Sequence, residues 1–359
     1  MQMGKKVFGK LKDGTQIDLY IIRHDDGSEI QIMNYGAAVV SLKVPDIHGN
    51  IEEIVLGFDQ LKDYENIRNF YGAIVGRSGN RLAKGKFSLN GIQYNLAVND
   101  GENHLHGGIK GFDRVVWDAK EINDEKNPGI KLDYLSKDGE EGYPGNLFVN
   151  VTYTFSSDHQ LIIDYSMKSD RATIKNITNH SYFNLSGNIK ENILNHSLIF
   201  NADKFLPSLE GLIPTGEFRN VKDTPMDFTI PHKIGERINV ADEQLKIGVG
   251  YDHTWVLKKD SCSLSFAGSV HEQNSGRLME IFTTEPGIGF YSGNFLDGSH
   301  AGHNSILYKY RDGMCLQTQH FPDAPNQSSF QTTVLNPGEN YISKTIYKFS
   351  VSKMHESKI

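Results

Sequence analysis

Four polar clusters in the chain hold side chains that could do chemistry, and they lie far apart in sequence. Gly76-Arg77-Ser78-Gly79-Asn80-Arg81 sets two guanidinium groups and a carboxamide beside bare backbone. Such a donor set grips hydroxyls or anions; taken alone it also reads as a glycine-rich turn with solvated arginines. Asn103-His104-Leu105-His106-Gly107-Gly108 comes next. On a strand, His104 and His106 would share one face with Glu102. That spacing suits the opening of a metal site, as in a cupin-like barrel. It equally suits a hydroxyl-binding imidazole, or one structural and one exposed histidine. Thr178-Asn179-His180-Ser181-Tyr182-Phe183-Asn184-Leu185 places His180 in a polar wall, and imidazole is the side chain whose ordinary pKa suits acid and base work near neutrality. The fourth cluster is split between Gly250-Tyr251-Asp252-His253-Thr254-Trp255 and Leu316-Gln317-Thr318-Gln319-His320-Phe321-Pro322-Asp323. Asp252 is a candidate hydroxyl acceptor or histidine orienter. Trp255 reads as core filling ahead of a sugar-stacking ring. A serine hydrolase would need a Gly-x-Ser-x-Gly elbow, and the chain has none.

The elements that must position these residues follow a period of two. Leu147, Val149, Val151, Tyr153 and Phe155 alternate with more polar neighbours. After a Ser-Ser-Asp-His turn, Leu161, Ile163, Tyr165 and Met167 do the same. This is the pattern of a hairpin of half-buried strands. Asn90-Gly91 between Phe87-Ser88-Leu89 and Ile92-Gln93-Tyr94 predicts a type I′ hairpin. Asp13-Gly14 before Ile17, Leu19 and Ile21 predicts another. Tyr347, Phe349 and Val351 repeat the alternation after Pro337-Gly338. Helical periodicity is sparse: Phe58 to Phe70 has room for one or two short helices, and Asp242 to Ile247 for a turn. No strand–glycine-loop–helix unit appears, which excludes a doubly wound nucleotide-binding fold. The expectation is one large antiparallel β domain, a sandwich or barrel with long functional loops.

Composition narrows the partners. The chain has 359 residues, of which 35 are glycine, and Lys+Arg 37 against Asp+Glu 44 gives a net charge of −7. With no basic run it lacks the electrostatic footprint of a nucleic-acid binder. Two cysteines, Cys262 and Cys315, stand far apart, which argues against a disulfide scaffold or a structural zinc site. No apolar run is long enough to span a bilayer, and Met1 to Lys12 lacks the apolar core of a signal peptide. The expected location is the cytoplasm.

Order and spacing tie the clusters together. The chain resembles the aldose 1-epimerase (galactose mutarotase) family over nearly its whole length. The resemblance rests on Asn34-Tyr35-Gly36-Ala37, Val55 to Phe58, Gly76 to Arg81 and Leu105 to Gly108. It continues through Phe112-Asp113, Trp117, Asn179 to Leu185 and Tyr251 to His253, and closes on Pro286-Gly287, Gly293 to Gly298 and Gln319 to Asp323. It implies a single β-sandwich domain over residues 1–359, the galactose mutarotase-like supersandwich, with no metal and no cofactor. It also implies interconversion of the α and β anomers of a small free hexose, galactose or glucose. One group takes the C1 hydroxyl proton while another protonates the ring oxygen, and the ring opens and recloses on the other face. By resemblance His180 is the acid. Asn80, Arg81, His106 and Asp252 hold the sugar hydroxyls, with Tyr182 in the same motif.

The chain departs from the family pattern at the base. The family has a glutamate before Thr-Gln in the last motif; here the residue is Gln317, which accepts a hydrogen bond but no proton. Gly289 stands where some members carry a sugar-contacting glutamine, and Gly79 where alanine is usual. Three readings of Gln317 compete: a substitution that keeps the pocket and stops turnover, a natural hexose-binding protein without catalysis (lectin-like or regulatory), or a base relocated to another carboxylate such as Glu285 or Asp323.

Overall fold

The alternating apolar residues at 147–155 and 161–167 are all buried, because each run turns one side into a common core. In the computed structural model, which describes residues 1–259 and 261–352, they form the antiparallel strands Leu147–Phe155 and Gln160–Ser169. These two lie inside a nine-stranded antiparallel sheet. Its order is Asp118–Ile122, Gly129–Ser136, Leu147–Phe155, Gln160–Ser169, Tyr341–Val351, Arg277–Thr283, Ser265–His271, Ser197–Phe200, His232–Lys233.

A six-stranded sheet packs against it, in the order Tyr182–Phe183, Met314–Gln319, Gly287–Tyr291, Asp252–Leu257, Ala202–Leu206, Arg219–Asn220. The residues between the sheets share one cluster. Val149, Val151, Tyr165 and Met279 come from the larger sheet, and Trp255, Ile288, Phe290 and Leu316 from the smaller. Trp255 is fully buried and its indole N–H donates to the Met226 carbonyl at 2.8 Å, the core role read from sequence. A five-stranded sheet of Gln2–Lys10, Gln16–Arg23, Glu29–Met33, Val39–Pro45 and Ile51–Glu53 completes the sandwich.

Local chemistry sets the turns. Asn90 and Gly91 both have positive φ, 51° and 77°, the requirement of a type I′ turn, and they join Lys86–Leu89 to Ile92–Asn95. The Asp13-Gly14 hairpin forms, but its alternation is broken. Ile17 and Leu19 enter one cluster while Tyr20 and Ile22 enter another, because this sheet is covered on both faces, and Ile21 is only half-buried. Val351 ends its strand in solvent at 45% exposure. Helices are short: Leu61–Asn66, Ile234–Arg237 and Glu243–Gly248. The last is capped by Asp242, whose carboxylate accepts from the Gln244 and Leu245 amides at 2.8 and 3.1 Å.

Ile163, fully buried between the sheets, is expected to destabilise the fold by about 2–5 kcal/mol on replacement by alanine. Ile342, 74% exposed on the neighbouring strand, should change stability by less than about 0.5 kcal/mol under the same substitution. Denaturant melts of the two variants test the assignment of the core face.

Candidate active site

The smaller sheet buries one face, so its alternate residues must stand on the other. Pairing sets them in rows. Asp252 faces Tyr291, Tyr291 faces Cys315, and Cys315 faces Tyr182. In the next row Thr254 faces Gly289, and Gly289 faces Gln317. This polar platform is the floor of a cavity of about 170 Å³ whose lining includes Asn80, Arg81, His106, His180, Tyr182, Asp252 and Gln317. Seven residues named from sequence thus meet in one place. Gly289 borders an adjoining enclosed chamber of about 20 Å³, shared with Asn80, Arg81, Asp252 and Gln317.

The walls are held from behind. The Asn80 amide donates to His106 Nδ1 at 3.0 Å, so the neutral His106 ring carries its proton on Nε2. The Asn80 carboxamide oxygen accepts from the Arg81 amide at 2.8 Å. Arg81 Nε donates to Asp100 at 2.7 Å, and its Nη1 lies 4.0 Å from Asp252. Asn179 donates to the Gly72 carbonyl and accepts from the Ser181 amide, at 2.8 and 3.0 Å. These bonds fix the chain on either side of His180. The His180 ring lies 5.0 Å from His106 and 5.2 Å from Tyr182, between centroids. Its Nδ1 is 3.6 Å from the Cys315 sulfur. Burial keeps that thiol well above its ordinary range, so the sulfur can donate to Nδ1.

Electrostatics follow burial. His180 is pulled down to about 4 by burial, and His106 is held well below the ordinary value by burial and by His180. Asp252 is pushed up to about 6 by burial, opposed by Arg81 and reinforced by Asp100. No hydrogen-bond donor within range reaches the Asp252 carboxylate among the described residues; the nearest cation is Arg81 at 4.0 Å. The buried Gln317 carboxamide oxygen likewise has no partner among them.

Several expectations are corrected. His104 and His106 do not share a face. The strand ends at Leu105, and His106 turns with φ 49°. His104 is locked by the Ala97 carbonyl at 2.7 Å and the Tyr143 hydroxyl at 2.6 Å, which leaves it no nitrogen for a metal. Glu102 sits exposed in the preceding turn. Of the two arginines in the first cluster only Arg81 reaches the cavity. Arg77 is 2% exposed and donates to the carbonyls of Pro144, Gly145 and Ser136 at 2.9–3.1 Å. The glycines at 76 and 107 serve packing: a Cβ on Gly107 would fall 1.7 Å from the Gly76 carbonyl oxygen, and one on Gly76 would fall 2.5 Å from the Phe112 ring.

The relocated-base candidates are also spent elsewhere. Glu285 pairs with His320 at 2.6 Å and accepts from the Tyr341 and Ser343 hydroxyls. Asp323 accepts from the Ala83 amide at 2.9 Å and from Asn326 at 2.6 Å. Neither lines the cavity. Sequence reading missed Arg68, Phe70, Tyr291 and Phe295, which do. Alternation from Gly289 would have found Tyr291. Phe70, at φ 59° with its ring 4.6 Å from His106, left no signal in the sequence.

A carboxyl with a raised folded pKa binds its proton more tightly when folded. Its stabilising contribution is complete below the unfolded value and lost as pH rises through the folded one. Asp252 therefore opposes folding above about pH 6, with some relief from water because its side chain keeps 17% exposure. Asp252→Asn is expected to stabilise the fold by on the order of 1–3 kcal/mol at pH 8 and by little at pH 4. Melts at the two pH values check the sign.

Comparisons with known proteins identify the family. The aldose 1-epimerase family model matches residues 18–348. The galactose mutarotase of Sus scrofa is 42% identical over 97% of this chain and 98% of its own. The aldose 1-epimerase of Escherichia coli K12 is 33% identical over 94% and 96%. The crystal structure of a galactose 1-epimerase from Lactobacillus acidophilus superposes with a TM-score of 0.85 at 28% identity, covering 98% and 99% of the two chains. The chain belongs to the aldose 1-epimerase family.

Proposed function

We propose that the chain is an isomerase that interconverts the α and β anomers of a free hexose, galactose or glucose, by acid–base opening of the ring. The observation that carries this reading is the convergence of His106, His180, Arg81, Asn80, Asp252 and Gln317 on one cavity. Ring opening needs one proton removed from the C1 hydroxyl and one delivered to the ring oxygen. His180, buried and backed by Cys315, is assigned the second task. His106 presents Nε2–H, and Arg81 and Asn80 present donors, to hydroxyls that would otherwise lose water on entry.

The whole chain is read as one functional unit, because the main core cluster runs from Tyr20 to Phe349. No metal or cofactor enters the scheme, and the substrate is a small neutral sugar. Cys262 and Cys315 are unpaired, one exposed and one buried, which supports a reducing compartment, the cytoplasm.

Gln317 favours a second reading, a hexose-binding protein that keeps the pocket without turnover. Polarimetry on freshly dissolved α-D-galactose and α-D-glucose separates the two. The isomerase reading expects optical rotation to settle faster than the spontaneous rate, in proportion to protein. The binding reading expects saturable heat at millimolar sugar in calorimetry with no acceleration. Neither signal would overturn both. Arg81→Ala is expected to raise KM about 10–100-fold, the loss of a charge-assisted hydrogen bond of about 1.5–3 kcal/mol.

A further inference from the structure

Gln317 cannot take a proton, yet ring opening needs a base, so the cavity wall must supply one from elsewhere if turnover occurs. Asp252 is the carboxylate that lines both the main cavity and the smaller chamber beside Gln317. Its two oxygens are spared by the hydrogen bonds that occupy the other acids nearby. Asp100 is taken by Arg81 Nε, and Glu285 and Asp323 by the partners named above.

The register shows how Asp252 and Gln317 address the same space. They stand on the first and third of three adjacent strands, and the middle strand presents Gly289 toward Gln317. No side chain rises from Gly289. A Cβ there would sit 3.0 Å from Gln319 Nε2 and 3.7 Å from Gln317 Cβ. The chamber over this bare floor, about 20 Å³, has room for one water molecule or one substrate hydroxyl. A base works at direct hydrogen-bond reach or through one water, and the Gly289 floor leaves that path open.

We propose that Asp252 is the proton acceptor of this chain, reached from the anomeric hydroxyl across the Gly289 floor while Gln317 holds that hydroxyl by its amide. The inference rests on the isomerase reading above. In the forward step the C1 hydroxyl proton passes to Asp252, and the O–H bonding pair left on O1 becomes the second bond of the aldehyde C=O. The C1–O5 bond breaks with its electron pair on O5, and O5 takes a proton from protonated His180, which is left as neutral imidazole. Rotation about C1–C2 and the reverse of both transfers return each proton and close the other anomer. No electrons or atoms are gained or lost.

The groups facing Asp252 are Arg81 on one side, Asp100 behind Arg81, Tyr291 beside it on the next strand, and His106 and His180, which line the same cavity. Those facing His180 are His106, Tyr182 and Cys315. With His180 near 4 and Asp252 near 6, the pair holds one proton between these values, mostly on Asp252, and the productive form with Asp252 ionised and His180 protonated is its minor tautomer. The profile of kcat/KM should therefore peak between them and fall on either side.

Four proteins test the assignment by polarimetry: the wild type, Asp252→Asn, Gln317→Glu and the double variant. Asp252→Asn should lower kcat about 10²–10⁴-fold in the wild-type background and remove the rise on the acid side of the pH profile, with a cooperative melting transition retained. In the Gln317→Glu background, where a second carboxylate takes the proton, the same change should lower kcat less than about tenfold. Gly289→Ala should lower kcat with KM held, and an unchanged kcat overturns the route across Gly289. Equal losses from Asp252→Asn in both backgrounds, or a loss confined to KM, mean that Asp252 only holds substrate, and overturn the proposal. An inactive wild type with an active Gln317→Glu overturns the proposal and leaves the isomerase pocket standing. Inactivity of both overturns the isomerase reading itself.

Discussion

Everything in the site depends on the antiparallel register of three strands, Asp252–Leu257, Gly287–Tyr291 and Met314–Gln319. Trp255, Ile288, Phe290 and Leu316 are pinned in the core between the sheets. Each residue next to them is then forced onto the opposite face. A slip of one residue would exchange the two faces, burying Asp252 and Gln317 among aromatics and exposing Trp255. The apolar core thus fixes the polar site at a distance, and the rows Asp252–Tyr291–Cys315–Tyr182 and Thr254–Gly289–Gln317 are its direct consequence.

The loops supply what the sheet cannot. His106 and Asn80 lie on neighbouring segments, joined by the Asn80 amide to His106 Nδ1 and the His106 amide to the Asn80 carbonyl at 3.1 Å. Both residues adopt positive φ, 49° and 60°, a conformation unusual outside glycine. Two residues held in this way at one cavity are characteristic of a site whose geometry is maintained by its surroundings. Arg77 contributes from behind: its buried guanidinium gathers the carbonyls of Ser136, Pro144 and Gly145, and so anchors the loop that ends at Arg81.

Two of the three departures marked by the family resemblance, Gly289 and Gln317, are cross-strand partners. Gly289 pairs with Gln317, so the missing side chain and the missing charge meet in one chamber. A carboxylate at 317 and a carboxamide at 289 would hydrogen-bond to the same ligand. With both changed, the floor is open and Asp252 carries the negative charge on this side of the cavity. Burial without a close donor raises its affinity for a proton, and the same burial keeps both histidines neutral near pH 7.

The sequence by itself determined the strands, the hairpin turns and the chemical inventory of the site. Period-two burial and Asn-Gly turns are local physics, legible at 87–94 and 147–167, and the ordered motifs pointed to the family and to seven of the residues that line the cavity. It did not decide which members of each motif face the cavity. His104 and His106 look equivalent in sequence, as do Arg77 and Arg81. The Tyr143 hydroxyl and the Pro144 and Gly145 carbonyls, each some forty to seventy residues away, claim His104 and Arg77 and leave His106 and Arg81 for the site. The cavity floor, the seating of Phe70 and the bare chamber between Asp252 and Gln317 were likewise set only by tertiary structure. The floor arises from strand pairing between residues more than twenty positions apart, and no local propensity encodes such a partner.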